Sequence, residues 1–212
     1  MLRIGSATTT FVVRHMRREC GCYPDPGTPR SAWDRFLSGT PHDGTIEHRV
    51  TAAVGPCWID ARPVTNAQFG SFIKATGYAP RCRDRFLHHW GGAACPAAIR
   101  EQPVVYVDLE DARAYAAWTG KRLPTEWEWQ RGAEQYGQAF DHSEVFEWTE
   151  SERDDGHTRF VMLRGGCRYQ AKGSIWYFPG GPQPIGSHAK FLRLDPGLDR
   201  SATIGFRCAA PE

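Results

Sequence analysis

The sequence has no long apolar run and no strong excess of charge of either sign. No stretch approaches the roughly 18 consecutive apolar residues of a membrane-spanning helix, and residues 1–14 contain no apolar core of the secretory-signal type. Lysine and arginine number 26 against 24 acidic residues. This balance gives no reason to expect a nucleic acid or an anionic membrane as partner. From these absences we expect a cytoplasmic protein.

The seven cysteines are an odd number, and no two of them form a Cys-x-x-Cys pair. The sequence therefore lacks the pattern typical of zinc ribbons and thioredoxin-like redox sites. Cys82 and Cys95 bracket a loop and could form a disulfide. Reduced thiols are the simpler interpretation for a cytoplasmic protein.

The chain is rich in residues that interrupt regular structure, with 22 glycines and 15 prolines. Such a composition favours short elements joined by loops over a helical bundle. A length of 212 residues would accommodate one large domain or two small ones. The sequence has no internal repeat, no low-complexity tract and no segment that indicates a flexible linker, and we predict a single domain over residues 1–212. Residues 21–44, rich in Pro, Gly, Asp and Ser, are predicted to form a surface loop within it.

Three helices are predicted from their start signals and from apolar residues at helical spacing. Thr65 with Gln68, and Thr125 with Glu128, have the spacing of capping boxes, in which each side chain can bind the other's backbone N–H. Between them, an apolar stripe at helical spacing follows Asp108. The predicted helices cover residues 66–76, 109–119 and 126–134.

Apolar runs bounded by turn residues predict strands in both halves of the chain. Helices early, strands late and long loops between them indicate an α+β fold. The predicted strands lie at residues 57–59, 103–107, 160–163 and 203–208.

Eight short motifs, in order and at matching spacing, resemble those of the formylglycine-generating enzymes, also called sulfatase-modifying factors. The most specific is the Lys-Arg-Leu-Pro-Thr-Glu string at residues 121–126. The resemblance implies a C-type-lectin-like α+β domain. It also implies a superfamily that holds copper-dependent formylglycine-generating enzymes, sulfoxide synthases of ergothioneine biosynthesis and domains without known catalysis. The motifs cover residues 62–69, 75–78, 103–107, 111–118, 120–129, 147–149, 163–166 and 204–208.

The copper enzymes that this chain resembles carry two cysteines shortly after the Arg-Gly-Gly turn. In an ungapped comparison, Gln170 and Ile175 occupy those positions, and Cys167 falls where the family usually has serine. A lone thiol cannot supply the two thiolates that suit Cu(I). We therefore expect neither a copper site nor formylglycine generation.

Other residues are candidates for different metals. Family members usually carry a long insert before the Glu-Trp-Thr motif that helps to bind calcium, and here only residues 136–145 stand in its place. Glu147 matches the motif's carboxylate and could hold calcium at one remaining site. His88 and His89 diverge in most backbone conformations. One of them could join distant ligands around a metal, or make a structural hydrogen bond in a loop.

Two arginines lie within the family motifs. Because buried arginines usually tie loops together through carboxylates, we expect this role for Arg164 and Arg207. Asp195 and Asp199 are the partners that the sequence suggests.

A ligand-binding cleft is predicted from one family motif and the irregular segment that follows it. In proteins that this chain resembles, the Glu-Trp-Thr motif lies beside the substrate groove. Polar and aromatic side chains on loops near it could line a pocket for a peptide or a small molecule. Burial for structural reasons is the alternative for each of them. The candidates are Trp148, Arg168, Gln170, Tyr177, His188 and Lys190.

Two functional classes fit this sequence. One is a ligand-binding, protein-binding or structural module that retains the family cleft. The other is a metal-dependent oxidoreductase of the same superfamily, using nonheme iron or copper on a peptide or small molecule. No complete catalytic constellation can be assembled from the sequence, so we favour the first class.

Overall fold

The computed structural model describes residues 1–16, 45–154, 159–169, 180–193 and 199–212. The predicted loop at 21–44 lies outside these ranges. The described residues contain three α-helices and nine strands, and none of these helices is long and apolar enough to cross a membrane. The helices are α1 (Asn66–Thr76), α2 (Leu109–Trp118) and α3 (Glu126–Tyr136). The strands are β1 (Leu2–Ile4), β2 (Ala7–Met16), β3 (Thr45–Val54), β4 (Cys57–Ile59), β5 (Phe146–Asp154), β6 (Arg159–Gly165), β7 (His188–Leu192), β8 (Ile204–Phe206) and β9 (Ala209–Pro211).

The three predicted helices are confirmed, and the capping boxes of α1 and α3 form as the sequence indicates. Asp108 and Asp111 form a further capping box at the start of α2. At the start of α1, the Gln68 N–H donates to Thr65 Oγ1 over 3.3 Å, and the Thr65 N–H donates to Gln68 Oε1 over 2.9 Å. The helix ends at Gly77, whose φ of 67° is a left-handed conformation that glycine adopts without strain. Helix α3 extends two residues beyond its predicted end, to Tyr136.

One predicted strand is wrong. Residues 103–107 pair with another segment in strand fashion only at an isolated bridge between Pro103 and Thr65, beside which the Val104 N–H donates to the Val64 carbonyl. The chain turns at Tyr106, whose φ of 55° is left-handed and interrupts an extended conformation. The apolar run is therefore a buried connection rather than a strand.

The strands form three sheets. β1, β4 and β9 make a three-stranded antiparallel sheet in the order β1-β4-β9, and β2 pairs with β3 in a separate antiparallel ribbon. The largest sheet has the order β7-β6-β5-β8, in which only the β5–β8 pair is parallel. Helices combined with mainly antiparallel sheets agree with the predicted mixture of α and β structure.

The four-stranded sheet has two chemically different faces. Its register places Trp148 opposite Leu163 and Phe206 on one face, where the apolar core includes residues of α1 and α2. The neighbouring pair, Glu147 and Arg164, points to the other face, because successive side chains of a strand alternate. Helix α3 packs against the sheet through β6 and β5. The charged face of the sheet is therefore buried rather than solvated.

A second core lies between α3 and the smaller sheets. It contains Ile4, Phe11, Ile59, Trp129 and Phe140, none of them more than 1% exposed. Helix α3 thus separates two apolar clusters and has the charged face of the large sheet beside it.

Candidate functional site

The most heavily bonded group on the charged face is the guanidinium of Arg207. It binds both carboxylate oxygens of Glu147, with Nε–Oε2 and Nη2–Oε1 distances of 2.5 and 2.6 Å. It also donates to the carbonyl oxygen of Asp60 over 2.9 Å and to that of Asp141. The ring centre of Phe140 lies 3.7 Å from its Cζ, in cation–π contact. Arg207 and Glu147 are both fully buried, so this pair is a charged contact inside the core.

Arg164 ties the chain after Gly180 to the charged face. Its Nη1 donates to the Ser187 carbonyl over 2.9 Å, and its Nη2 donates to the Ile185 carbonyl over 2.8 Å and to Gln130 Oε1 over 2.9 Å. Its Cζ lies 5.1 Å from the ring centre of Trp129. The side chain therefore connects β6, α3 and the segment that leads into β7.

Arg207 ties loops together through a carboxylate as expected, but its partner is Glu147 rather than Asp199. Glu147 lies on β5, the strand adjacent to β8, and Arg164 donates to two carbonyls and to the Gln130 amide oxygen. Asp199 instead lies 3.7 Å from Arg193, and Asp195 is outside the described residues.

The cleft prediction placed His188 on an accessible surface, and the structure buries it. Its side chain is 0% exposed, with Nδ1 2.7 Å from Glu126 Oε2. Its Nε2 lies 3.3 Å from Gln130 Oε1, and its ring centre is 5.4 Å from that of Trp127. His188 thus belongs to the packing between β7 and α3.

Trp148 and the two β7 candidates do not share a surface. Trp148 is fully buried on the apolar face, and its indole N–H donates to the Val107 carbonyl over 3.0 Å. His188 and Lys190 pair with Arg164 and Met162, which point to the opposite face. A single cleft lined by all three is therefore wrong.

The remaining cleft candidates lie apart from these. Arg168 is exposed and forms an ion pair with Glu144 at the surface. The ammonium of Lys190 lies 5.1 Å from the ring centre of Phe160. Gln170 and Tyr177 lie outside the described residues.

The proposed calcium ligand is already occupied by a cation of the protein itself. Both oxygens of Glu147 bind Arg207, so in this structure the carboxylate is engaged by the protein's own guanidinium. Calcium binding by Glu147 stays a prediction.

The two histidines considered as metal ligands, His88 and His89, have different surroundings. His89 Nε2 lies 2.7 Å from Asn66 Oδ1, and burial lowers the pKa of His89 to about 4, so its ring is neutral at pH 7. His88 is exposed and lies edge-on to Tyr106, with 5.5 Å between ring centres. Across the described ranges, no three His, Cys, Asp or Glu side chains are grouped to hold a metal ion. His89 therefore makes a structural hydrogen bond, which was the alternative to a role as metal ligand.

Asn66 is a central residue that the sequence reasoning did not single out. Its Nδ2 donates to the carbonyls of Ile99, Gln102 and Pro103 over 3.0, 3.1 and 3.2 Å. Its Oδ1 also accepts from the indole N–H of Trp90 over 2.8 Å. The only available signal was its place in the 62–69 motif, directly after a capping threonine. The buried amide joins the start of α1 to two loops.

The thiol of Cys167 is enclosed by the turn that follows β6. It is 2% exposed, its Sγ lies 3.0 Å from the Tyr169 carbonyl oxygen, and its N–H donates to the Gly181 carbonyl over 3.2 Å. At Gly166, a Cβ would lie 2.6 Å from that same Gly181 oxygen, so the close approach requires glycine. Burial raises the pKa of the Cys167 thiol, which is therefore held in its neutral form.

A second buried charge network joins α2 to the chain at Arg200. This guanidinium lies 2.8 Å from Asp108 Oδ2 and 2.9 Å from Asp111 Oδ2, and the Tyr78 hydroxyl donates to Asp111 Oδ1 over 2.8 Å. Burial, and next the nearby Asp108 carboxylate, raise the pKa of Asp111 to about 6, although Arg200 opposes the shift.

This shift predicts how stability depends on pH. Because the pKa of Asp111 is raised on folding from 3.8 to about 6, its contribution is fully present below about pH 4 and is lost as pH rises through about 6. The unfolding free energy of the wild type minus that of Asp111→Asn should therefore fall across this window, by at most about 1.4 kcal/mol per pH unit. Urea titrations at several pH values measure it. A difference that stays constant or grows would contradict the assignment.

Comparison with known proteins identifies the family of this chain. A family model described as the sulfatase-modifying factor enzyme 1-like domain matches residues 35–144. The chain belongs to this family. The match includes the capping boxes of α1 and α3 and the connection between them. In this sulfatase-modifying-factor-like domain, the charged pair of Arg207 with Glu147 lies beyond the matched range.

Individual relatives are similar over part of their length. The formylglycine-generating enzyme of Streptomyces coelicolor is 35% identical over 143 residues, which are 51% of this chain and 45% of that protein. That of Mycobacterium tuberculosis is 28% identical over 180 residues, or 64% and 58% of the two chains. The mouse protein named inactive C-alpha-formylglycine-generating enzyme 2 is 32% identical over 155 residues, or 55% and 50%. The sulfatase-modifying-factor-like domain thus spans about half the length of these relatives.

Proposed function

We propose that this sulfatase-modifying-factor-like domain acts by binding a small ligand or a protein and does not generate formylglycine. The state of Cys167 carries the proposal. Its thiol is buried, neutral and directed at the Tyr169 carbonyl oxygen, whereas copper chemistry of the family type needs thiolates that can reach a metal.

The residue types near Cys167 support the same conclusion. Gln170 and Ile175 replace the two cysteines that the copper enzymes carry after the Gly-Gly turn. An amide and an alkyl side chain offer Cu(I) no soft ligand. The residues present therefore do not fit a dithiolate copper site, and we assign no step to copper.

The family itself supports a domain without this activity. One relative, the mouse protein, is named an inactive formylglycine-generating enzyme, so loss of the reaction is compatible with retention of the domain. The three capping-boxed helices and the charged sheet face described above would then serve to hold a binding surface in place. We further propose the C-type-lectin-like arrangement that the motifs imply, in which irregular segments on a rigid scaffold supply that surface.

The reaction itself provides the test. The purified chain is incubated with a Cys-x-Pro-x-Arg peptide, Cu(I) and a reductant, and the peptide is followed by mass spectrometry. We expect no aldehyde, while the Streptomyces coelicolor enzyme under the same conditions serves as positive control. Aldehyde formation that disappears in Cys167→Ala would overturn the proposal, because it would show that one buried thiol suffices.

A further inference from the structure

A surface pocket of about 410 Å³ lies between the chain at Arg62 and the turn that follows α3. Its volume falls within the roughly 300–1,000 Å³ typical of small-molecule sites. The polar and charged residues that line it are Arg62, Gln138, Asp141, His142 and Ser143.

Two opposite charges in this pocket are left uncompensated. Arg62 is exposed and Asp141 is half-buried, and neither side chain has an ion-pair partner within the part of the chain that the structure describes. Other arginines of the domain, such as Arg122 and Arg113, lie in ion pairs. A guanidinium and a carboxylate that line one concave surface without neutralising each other are complementary to a ligand that carries both charges.

The walls that carry these charges are fixed to each other. The Asp141 N–H donates to the Ala61 carbonyl over 3.1 Å. Behind the pocket, Arg207 donates to the carbonyl oxygens of both Asp60 and Asp141, and it packs on the ring of Phe140. Because the backbone on either side is held by a buried arginine, little ordering is needed when a ligand binds.

We propose that this pocket binds a small zwitterion of the amino-acid class. Arg62 binds the ligand's carboxylate, for which a planar guanidinium is suited, and Asp141 binds its ammonium group. The exposed Gln138 amide and Ser143 hydroxyl supply further hydrogen-bonding groups. The inference deepens the proposed function, because it names the ligand class for a domain that acts by binding.

Three forms of each probe separate a zwitterion from a simple ion. The twenty proteinogenic L-amino acids are screened at millimolar concentration by NMR chemical-shift perturbation of the full chain. Those that bind are compared with their N-acetyl derivative, which lacks the ammonium, and their amide, which lacks the carboxylate. We expect at least one free amino acid to shift the resonances of residues 62 and 137–143. Either derivative should bind at least about tenfold more weakly.

Variants test the two assigned charges. Arg62→Gln and Asp141→Asn should each raise the dissociation constant at least about tenfold, because each removes one charged contact with the ligand. Arg81→Gln changes an exposed arginine that does not line the pocket, and it should leave the constant unchanged. The amide dispersion of each variant's NMR spectrum verifies that it is folded.

Several results would overturn the proposal. These are the absence of binding by any of the twenty amino acids, equal binding of a derivative and its parent, and unchanged affinity in Arg62→Gln. Equal affinity for acetate would show a plain anion site instead. The outcome of the peptide oxidation test does not depend on any of these results. Aldehyde formation there would refute the proposed function, whether or not the pocket binds amino acids.

Discussion

Replacing Arg207 with methionine should lower the free energy of unfolding by about 3–5 kcal/mol, the usual cost of leaving one partner of a buried ion pair uncompensated. Glu147 would keep a fully buried carboxylate with neither of its two close donors. The Asp60 and Asp141 carbonyls would also lose their shared guanidinium. Urea titration of both proteins measures the difference.

Two further variants distinguish the loss of the buried ion pair from a general effect of removing an arginine. Arg168→Met removes an exposed arginine paired at the surface and should cost less than about 1 kcal/mol. The double variant Glu147→Gln with Arg207→Met removes both buried charges and should be more stable than Arg207→Met alone. If the double variant is instead less stable by the full sum of the two single losses, the carboxylate and the guanidinium do not interact as described.

Asn66→Asp should lower the free energy of unfolding by an amount similar to that of Arg207→Met, although it exchanges only one nitrogen for one oxygen. The amide Nδ2 faces three carbonyl oxygens, and a carboxylate oxygen at the same place would face them without a proton to donate. Asn66 is 1% exposed, so the new charge would be buried. We expect a loss of about 3–5 kcal/mol in unfolding free energy at pH 7.

The pH dependence of that loss distinguishes its cause. Burial would raise the pKa of the introduced carboxyl, and its protonated form can donate to a carbonyl, so the loss should shrink as pH falls. Gln68→Glu makes the same amide-to-acid change two residues away, at an exposed position whose oxygen already accepts from the Thr65 N–H. It should leave stability within about 0.5 kcal/mol of the wild type. An equal loss in both variants would indicate a general effect of charge on α1.

Local signals predicted local structure well in this chain. The boxes at Thr65 and Thr125 and the glycine at Gly77 depend on residues within four positions, so they could be recognised from spacing alone. The apolar run at 103–107 was wrongly predicted to be a strand, because nothing in its composition shows that Tyr106 adopts a left-handed conformation.

The functional residues were harder to predict, since their surroundings are set by distant partners. Whether His188 faces solvent depends on the register of β7 against β6 and on Glu126, which lies in a helix 62 positions earlier in the sequence. The pairing of Glu147 with Arg207 likewise spans 60 positions. The resemblance correctly marked both as motif residues, but it gave no information about the face of the sheet on which each would lie.

The pairing of β4 with β9 has a consequence for how the chain folds. Cys57 lies opposite Pro211, and the Asp60 N–H donates to the carbonyl of Cys208, 148 positions later, so the middle strand of the small sheet pairs with residues distant in sequence. Contacts between residues so distant in sequence slow folding, because loop-closure entropy is lost before the contacts form. During synthesis, β4 would remain without this partner until β9 has left the ribosome, and the apolar cluster that includes Ile59 and Ala209 would stay incomplete until then.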